Sequence, residues 1–307
     1  MGKSLFLHIG THKTGTTSLQ TILTTMEAEL GERGVCIPRA GRSSMFSGHH
    51  NLAWQLNDDP RFEPSLGDVN ALREEIASAG HSTVILSSED FEYLYCRPER
   101  MSVVKSLADS LGYDAYVVVF FREWASYANS LYAELIKYGL TQSVEEFVDG
   151  IILQGEFVAP AGWRFCFDYS RIVAGFQGVF GADRVLWRAY GKGTVEQFFH
   201  TVGLDEFHAQ LSGEYTANES IGPSAVEALL ALNRQADREG MPLDEVSERR
   251  DRILAEASGR DAGVKFGGIS GVLKDRLDNR FVSARRWLYG EEGLPKRGRR
   301  VRRRFPR

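Results

Sequence analysis

Three nearly unbroken apolar runs stand out along the chain: Leu5–Ile9, Thr83–Leu86 and Ala115–Phe121. Runs of this length, bounded by glycine, serine or charge, read as strands buried on both faces. They predict strands over Ser4–Ile9, Thr83–Leu86 and Ala115–Phe121, with shorter ones at Val35–Ile37, stopped by Pro38, and at Arg184–Trp187. Between them apolar positions recur at helical spacing. Thr16–Leu30 places Leu19, Ile22, Leu23 and Met26 on one face, and further helices are expected at Leu52–Leu56, Val69–Ala79, Pro98–Leu111, Ala125–Tyr138, Tyr169–Phe180 and Val195–Val202. From Pro223 onward the pattern is helical only: Ala225–Ala236, Leu243–Ala257 and Gly271–Leu288. Strands alternating with helices predict an α/β fold, a central parallel β-sheet flanked by helices with a helical C-terminal extension. The expected organisation is an α/β domain over 1–215, a helical extension over 216–290 packed on the same domain, and a basic, disordered tail over 291–307.

Composition changes this picture little. The 307 residues are 43% apolar and 25% charged, ordinary for a globular chain of this size. Cys36, Cys96 and Cys166 are scattered, so neither a disulfide framework nor a zinc site is expected, and all three read as small apolar residues. The apolar run at the N-terminus is too short for a signal peptide, and Phe6 stands where a myristoylation motif wants Ser or Thr. No stretch reaches the length of a membrane-spanning helix. A cytoplasmic protein is expected.

Charge is distributed unevenly. Lys296, Arg297, Arg299, Arg300, Arg302, Arg303, Arg304 and Arg307 give the tail eight positive charges; taking these from a net charge of −4 leaves −12 for the rest. The tail reads as a solvated end or as a contact for an anionic polymer or the inner face of a membrane. Nucleic acid is not an expected partner, because the body is acidic and no recognition module accompanies the tail.

The candidate chemistry begins where the first strand ends, at Gly10-Thr11-His12-Lys13-Thr14-Gly15-Thr16-Thr17-Ser18. A strand, a glycine loop and a helix make an anion site, because loop amides and the unsatisfied N–H groups of the first helical turn point at the ligand. The spacing is P-loop-like, close to a Walker loop, G-x-x-x-x-G-K-[ST], with one difference. Thr16 occupies the lysine position and the lysine is Lys13, inside the loop. That geometry disfavours a nucleotide kinase or nucleoside triphosphatase, which remains the alternative, together with a non-catalytic nucleotide-binding protein.

His12-Lys13-Thr14-Gly15-Thr16-Thr17-Ser18-Leu19 resembles the 5′-phosphosulfate loop of the PAPS-dependent sulfotransferases of the bacterial, carbohydrate type. The resemblance implies a co-substrate, 3′-phosphoadenosine-5′-phosphosulfate (PAPS), and no metal. It implies that Lys13 meets the oxygen bridging phosphate and sulfate, and that Thr14, Gly15, Thr16, Thr17 and Ser18 hold the 5′-phosphate. His12 is expected to be structural or donor-facing. Arg122, at the end of the Tyr116–Phe121 strand, and Ser130, eight residues on, match the arginine and serine with which the family holds the 3′-phosphate. Ser126 is a weaker candidate. The resemblance continues through Tyr169, Asp183–Trp187 and Phe198–Leu204. It lacks a clear match to the family's late glycine-containing loop, for which Gly263–Gly267 or the basic tail are the substitutes in view.

Sulfuryl transfer needs an acceptor in line with the leaving oxygen, positive charge on that oxygen, and a base for the acceptor proton. The base must come from a loop at the C-terminal edge of the sheet. Glu89, in Ser87-Ser88-Glu89-Asp90, and the pair His49-His50, in the polar loop Arg39–His50, are the candidates. Histidine titrates near neutrality, and a glutamate does so when burial raises its pKa. Glycan-type enzymes use glutamate and small-molecule enzymes histidine, so Glu89, His50 and His49 all stay open. The implied acceptor is a hydroxyl on a glycan, lipid or small metabolite.

Overall fold

The computed structural model describes residues 2–160, 162–210, 220–261 and 263–289. These fall into two compact units, one of 2–122 with 169–210 and the other of 123–168 with 220–289. The tail over 291–307 and the expected boundary at 215/216 lie outside the described residues.

In chain order the elements are β1 (Lys3–His8), α1 (Thr16–Thr25), α2 (Glu27–Glu32), β2 (Val35–Cys36), α3 (His50–Asn57), α4 (Val69–Ala79), β3 (Thr83–Ser87), a 3-10 turn (Glu89–Cys96), α5 (Pro98–Ser110) and β4 (Tyr113–Phe121). Then come α6 (Trp124–Lys137), α7 (Val144–Gln154), β5 (Glu156–Val158), β6 (Arg164–Cys166), α8 (Tyr169–Phe180), β7 (Val185–Ala189) and α9 (Thr194–Val202). The last are α10 (Pro223–Glu239), α11 (Leu243–Asp261), α12 (Gly271–Arg280) and α13 (Val282–Tyr289).

The first unit is built on a five-stranded sheet, in the order β2-β3-β1-β4-β7, and every pairing in it is parallel. On one face Phe6, Ile85, Val118, Phe120 and Leu186 pack with Leu19, Ile22 and Leu23 of α1 and Phe198, Phe199 and Val202 of α9. On the other, α5 and α8 lie against β4. A sheet covered on both sides needs strands apolar on both sides, which is why β1 reads as Leu-Phe-Leu rather than alternating. Each such side chain contributes about 1.5–3 kcal/mol through burial. Close packing also fixes Gly175 in α8, where an added Cβ would fall 2.1 Å from the carbonyl oxygen of Tyr95.

Register brings the C-terminal strand ends together. His8 stands opposite both Ser87 of β3 and Val118 of β4, and Phe121 stands opposite Ala189 of β7. Open parallel sheets bind ligands beyond this edge, where the strand order switches direction. Here the switch falls at β1.

The second unit is mainly helical, with α6 against α10 and α12, α10 paired with α11, and an antiparallel β5–β6 hairpin beside α7. Asn129 bonds both the N–H and the C=O of Ile269, at 2.9 and 3.0 Å, and Asn233 Nδ2 donates to Ile136 O and Leu140 O at 2.8 and 2.9 Å. The Gly263–Gly267 segment belongs to this unit, where the Phe266 ring stacks on Tyr132 with centroids 5.5 Å apart. No helix among the described residues is long and apolar enough to cross a membrane.

Two expected helices are broken. Thr16–Leu30 divides at Met26, just after Thr21 and Thr24 bond their hydroxyls back to the carbonyls of Thr17 and Gln20, a contact that bends helices. Gly271–Leu288 divides at Phe281, which is buried with its ring stacked on Trp124 at 5.7 Å.

Candidate functional site

The loop after β1 is held in an unusual conformation. Gly10, Lys13 and Gly15 have φ of 41°, 63° and 73°. For Lys13 this is the left-handed region, which costs a non-glycine residue about 1–2 kcal/mol and persists only when its surroundings enforce it. Three bonds do so. Arg122 Nη1 donates to the Lys13 carbonyl at 3.0 Å, Thr14 Oγ1 donates to Thr11 O at 2.5 Å, and Thr11 Oγ1 donates to Phe120 O at 3.1 Å. The glycines are needed for space as well. A Cβ at Gly10 would lie 2.8 Å from Thr16 Oγ1, and one at Gly15 would lie 3.3 Å from the Tyr190 ring.

The loop feeds α1 without capping it. Gly15 offers no side chain to the first N–H groups, and the first turn contains no acidic residue. The Thr16 hydroxyl is buried without a hydrogen-bond partner among the described residues. A buried hydroxyl left alone costs about 1–3 kcal/mol, so it is an atom awaiting a partner. Thr17 is exposed and Ser18 buried in the same turn. Uncapped amides, an orphaned hydroxyl and glycines where side chains would intrude fit a phosphate group.

At the next strand end, Arg122 is half-buried, and its guanidinium carbon lies 5.5 Å from the centre of the Tyr190 ring. Tyr169 Oη donates to the Arg122 carbonyl at 2.8 Å. Arg122 thus braces the loop. Ser130 and Ser126 lie in α6, both half-buried, in the second unit.

The candidate bases separate by their surroundings. His49 is fully engaged by backbone: Ser87 N–H donates to its Nδ1 at 3.1 Å, so the proton sits on Nε2, which bonds Pro38 O at 2.9 Å. Burial, with the charge of Arg42, pushes its pKa down to about 3. A ring with both nitrogens occupied and its charged form disfavoured does not accept a proton, so His49 is corrected from candidate base to structural residue.

His50 is different. Its Nδ1 lies 3.2 Å from Asp90 Oδ2 and 3.0 Å from Ser88 Oγ, and its Nε2 lies 3.7 Å from Glu89 Oε2. Burial alone would lower its pKa, but the Asp90 hydrogen bond and the charges of Glu89 and Asp90 more than offset this, and the net shift is upward. Glu89 opens the 3-10 turn and accepts from Gln20 Nε2, on α1, at 3.0 Å. Asp90 is buried and accepts from Trp54 Nε1 at 2.7 Å. Burial favours its neutral form, but the His50 bond and the charges of His12, His50 and Arg61 hold it below the usual carboxylate range. His12 turns its ring toward this cluster, with Nε2 3.9 Å from Asp90 Oδ1 and the ring 5.5 Å from that of Tyr93. Burial pushes its pKa down against the pull of Asp90 and Glu89.

The structure therefore brings Gly10–Ser18, Arg122, His50 and Glu89 to one edge of the first unit. Three participants were not foreseen: Asp90, Gln20 and Tyr190. Asp90 stands in the Ser-Ser-Glu-Asp run and was legible as a carboxylate at a strand end. Gln20 carried only the weak signal of a polar residue next to the apolar stripe of α1.

No family model matches the chain, and no curated protein does. Among solved structures, it is similar to a sulfotransferase from Alicyclobacillus acidocaldarius, at 17% identity, covering 80% of this chain and 100% of that chain, with a TM-score of 0.41. At that level the functional case rests on the residues themselves.

Proposed function

We propose that the protein is a sulfotransferase that moves a sulfuryl group from PAPS to a hydroxyl of a glycan, lipid or small metabolite. The observation that carries this reading is the first turn of α1, uncapped and with a buried Thr16 hydroxyl that has no partner among the described residues, reached through a loop whose lysine precedes the second glycine. Lys13 in the left-handed region, rather than a lysine on the helix, is the feature that separates this loop from a nucleoside triphosphatase loop.

In this reading Thr14–Ser18 and the α1 amides bind the 5′-phosphate, and Lys13 meets the bridging oxygen. The resemblance assigns the 3′-phosphate to Arg122 and Ser130. Glu89 and His50 receive the acceptor proton. The acceptor oxygen bonds to sulfur as the bond from sulfur to the bridging oxygen breaks. The electron pair leaves with adenosine 3′,5′-bisphosphate, where Lys13 and the helix dipole stabilise the added charge.

The test is calorimetry with PAPS and with ATP, both without Mg²⁺. PAPS is expected to bind wild type more tightly than ATP does and to lose at least tenfold in affinity for Lys13→Ala. Tighter binding of ATP would sink the reading.

A further inference from the structure

We propose that Asp90 is the positioning residue of the proton-accepting pair, holding His50 in the tautomer that carries its proton on Nδ1 and turns a bare Nε2 toward Glu89. The catalytic consequence rests on the sulfotransferase reading; the tautomer does not.

Asp90 Oδ2 is a pure acceptor when ionised, and it already takes the indole N–H of Trp54 at 2.7 Å. The ring nitrogen 3.2 Å away must then be the protonated one. The Ser88 hydroxyl, 3.0 Å from the same nitrogen, accepts the Asp90 backbone N–H at 3.1 Å and keeps a second lone pair with which to share the Nδ1 proton. The Asp90 backbone is held as well, because Asn57 Nδ2 donates to the Asp90 carbonyl at 3.1 Å. A buried ionised carboxylate is costly unless hydrogen-bonded on several sides, and here two ring N–H groups meet one oxygen.

The charged and titratable groups around His50 are Glu89 and Asp90 from the 3-10 turn, His12 from the donor loop, His49 beside it and Arg61 from the loop after α3. The two carboxylates favour an imidazolium, and the charge of Arg61 opposes it. With Nδ1–H committed to Asp90, the proton arriving from the acceptor has two adjoining sites, Nε2 of His50 and Oε2 of Glu89, 3.7 Å apart. Removing the Asp90 charge makes the His50 imidazolium less favourable, because the Asp90 bond and charge are among the groups that favour it.

The experiment is proton–nitrogen correlation of imidazole groups in the full chain labelled with ¹⁵N-histidine, followed across pH. His50→Gln assigns the His50 signals. Wild type should show Nδ1 protonated and Nε2 bare in neutral His50. Asp90→Asn should lower the His50 titration midpoint by one pH unit or more, a tenfold change in its proton affinity. Two results would overturn the proposal: wild-type His50 protonated on Nε2, which needs no variant to observe, or a tautomer that responds to Ser88→Ala and not to Asp90→Asn. Calorimetry of wild type with adenosine 3′,5′-bisphosphate separates the two layers. No binding there would remove the sulfotransferase reading and leave the tautomer result standing.

Discussion

Replacing Gly10 by alanine tests the donor loop at its tightest point. The residue has φ +41°, a region that costs an L-residue with a Cβ about 1–2 kcal/mol. The new Cβ would also fall 2.8 Å from Thr16 Oγ1 and 3.4 Å from Thr16 Cγ2. Thr16 is buried and β-branched, so it does not rotate away freely, and forcing it costs a further ~1–3 kcal/mol. Gly80→Ala is the control. Its φ is +63°, yet its Cβ would meet nothing within 4 Å, so only the backbone cost applies. Urea unfolding should show Gly80→Ala destabilised by about 1–2 kcal/mol and Gly10→Ala by about 2–5 kcal/mol. Because the Gly10 clash displaces the hydroxyl assigned to the 5′-phosphate, calorimetry with adenosine 3′,5′-bisphosphate should show affinity falling about tenfold or more for Gly10→Ala alone, the equivalent of ~1.4 kcal/mol. Equal stability losses with equal affinities would refute the reasoning, since the contact between Gly10 and Thr16 would then carry no energy.

Three further expectations follow from burial and packing. Gly175→Ala places a Cβ 2.1 Å from a backbone oxygen that has little room to retreat, so denaturant unfolding should register a loss at or above the ~1–3 kcal/mol usual for overpacking. His49→Ala leaves the Ser87 N–H and the Pro38 carbonyl without their ring partners; a loss of about 2–4 kcal/mol is expected, with His49→Gln recovering part of it. His8 and His49 both have pKa values lowered by burial to about 3, below the 6.5 of an unfolded histidine. The unfolded chain therefore binds the extra protons. Stability should be complete above pH ~6.5 and decline as pH falls toward 3, by roughly 2 kcal/mol per histidine at pH 5. A flat stability profile between pH 7 and 5 would contradict the burial of both rings.

The parts of the fold that the sequence made legible are those where burial acts on both faces of an element. β1, β3 and β4 are apolar on both faces through their central residues because helices cover both sides of the sheet, and α4 and α8 end where the pattern places their ends. The β5–β6 hairpin went unread because strands of three residues show no periodicity. Helix α7 went unread although Ser143 and Glu146 form a capping box at its start. The donor loop was legible because its glycines and threonines lie side by side in the chain. The base cluster was not, since neighbours in sequence have opposite surroundings. His49 faces two backbone groups and His50 faces two carboxylates, a difference set by Pro38, Ser87, Glu89 and Asp90.

A common mechanical element links the two halves of this site. Thr16 and Gln20 are four residues apart and share a face of α1, separated by about one helical turn of 5.4 Å. The first carries a hydroxyl with no partner among the described residues, assigned above to the 5′-phosphate, and the second donates to Glu89 at 3.0 Å. On the sulfotransferase reading, α1 thus carries 5′-phosphate contacts on one turn and a bond to the proposed base, Glu89, on the next. In-line transfer depends on the separation of the two, because a displacement near 1 Å costs roughly a hundredfold in rate. The Arg39–His50 loop adds the constraint from outside. A Cβ at Gly48 would fall 2.6 Å from the Gln20 amide, so the loop backbone itself holds that side chain against Glu89. Glycine at position 48 thus leaves room for the Gln20 side chain that bonds Glu89, the proposed base.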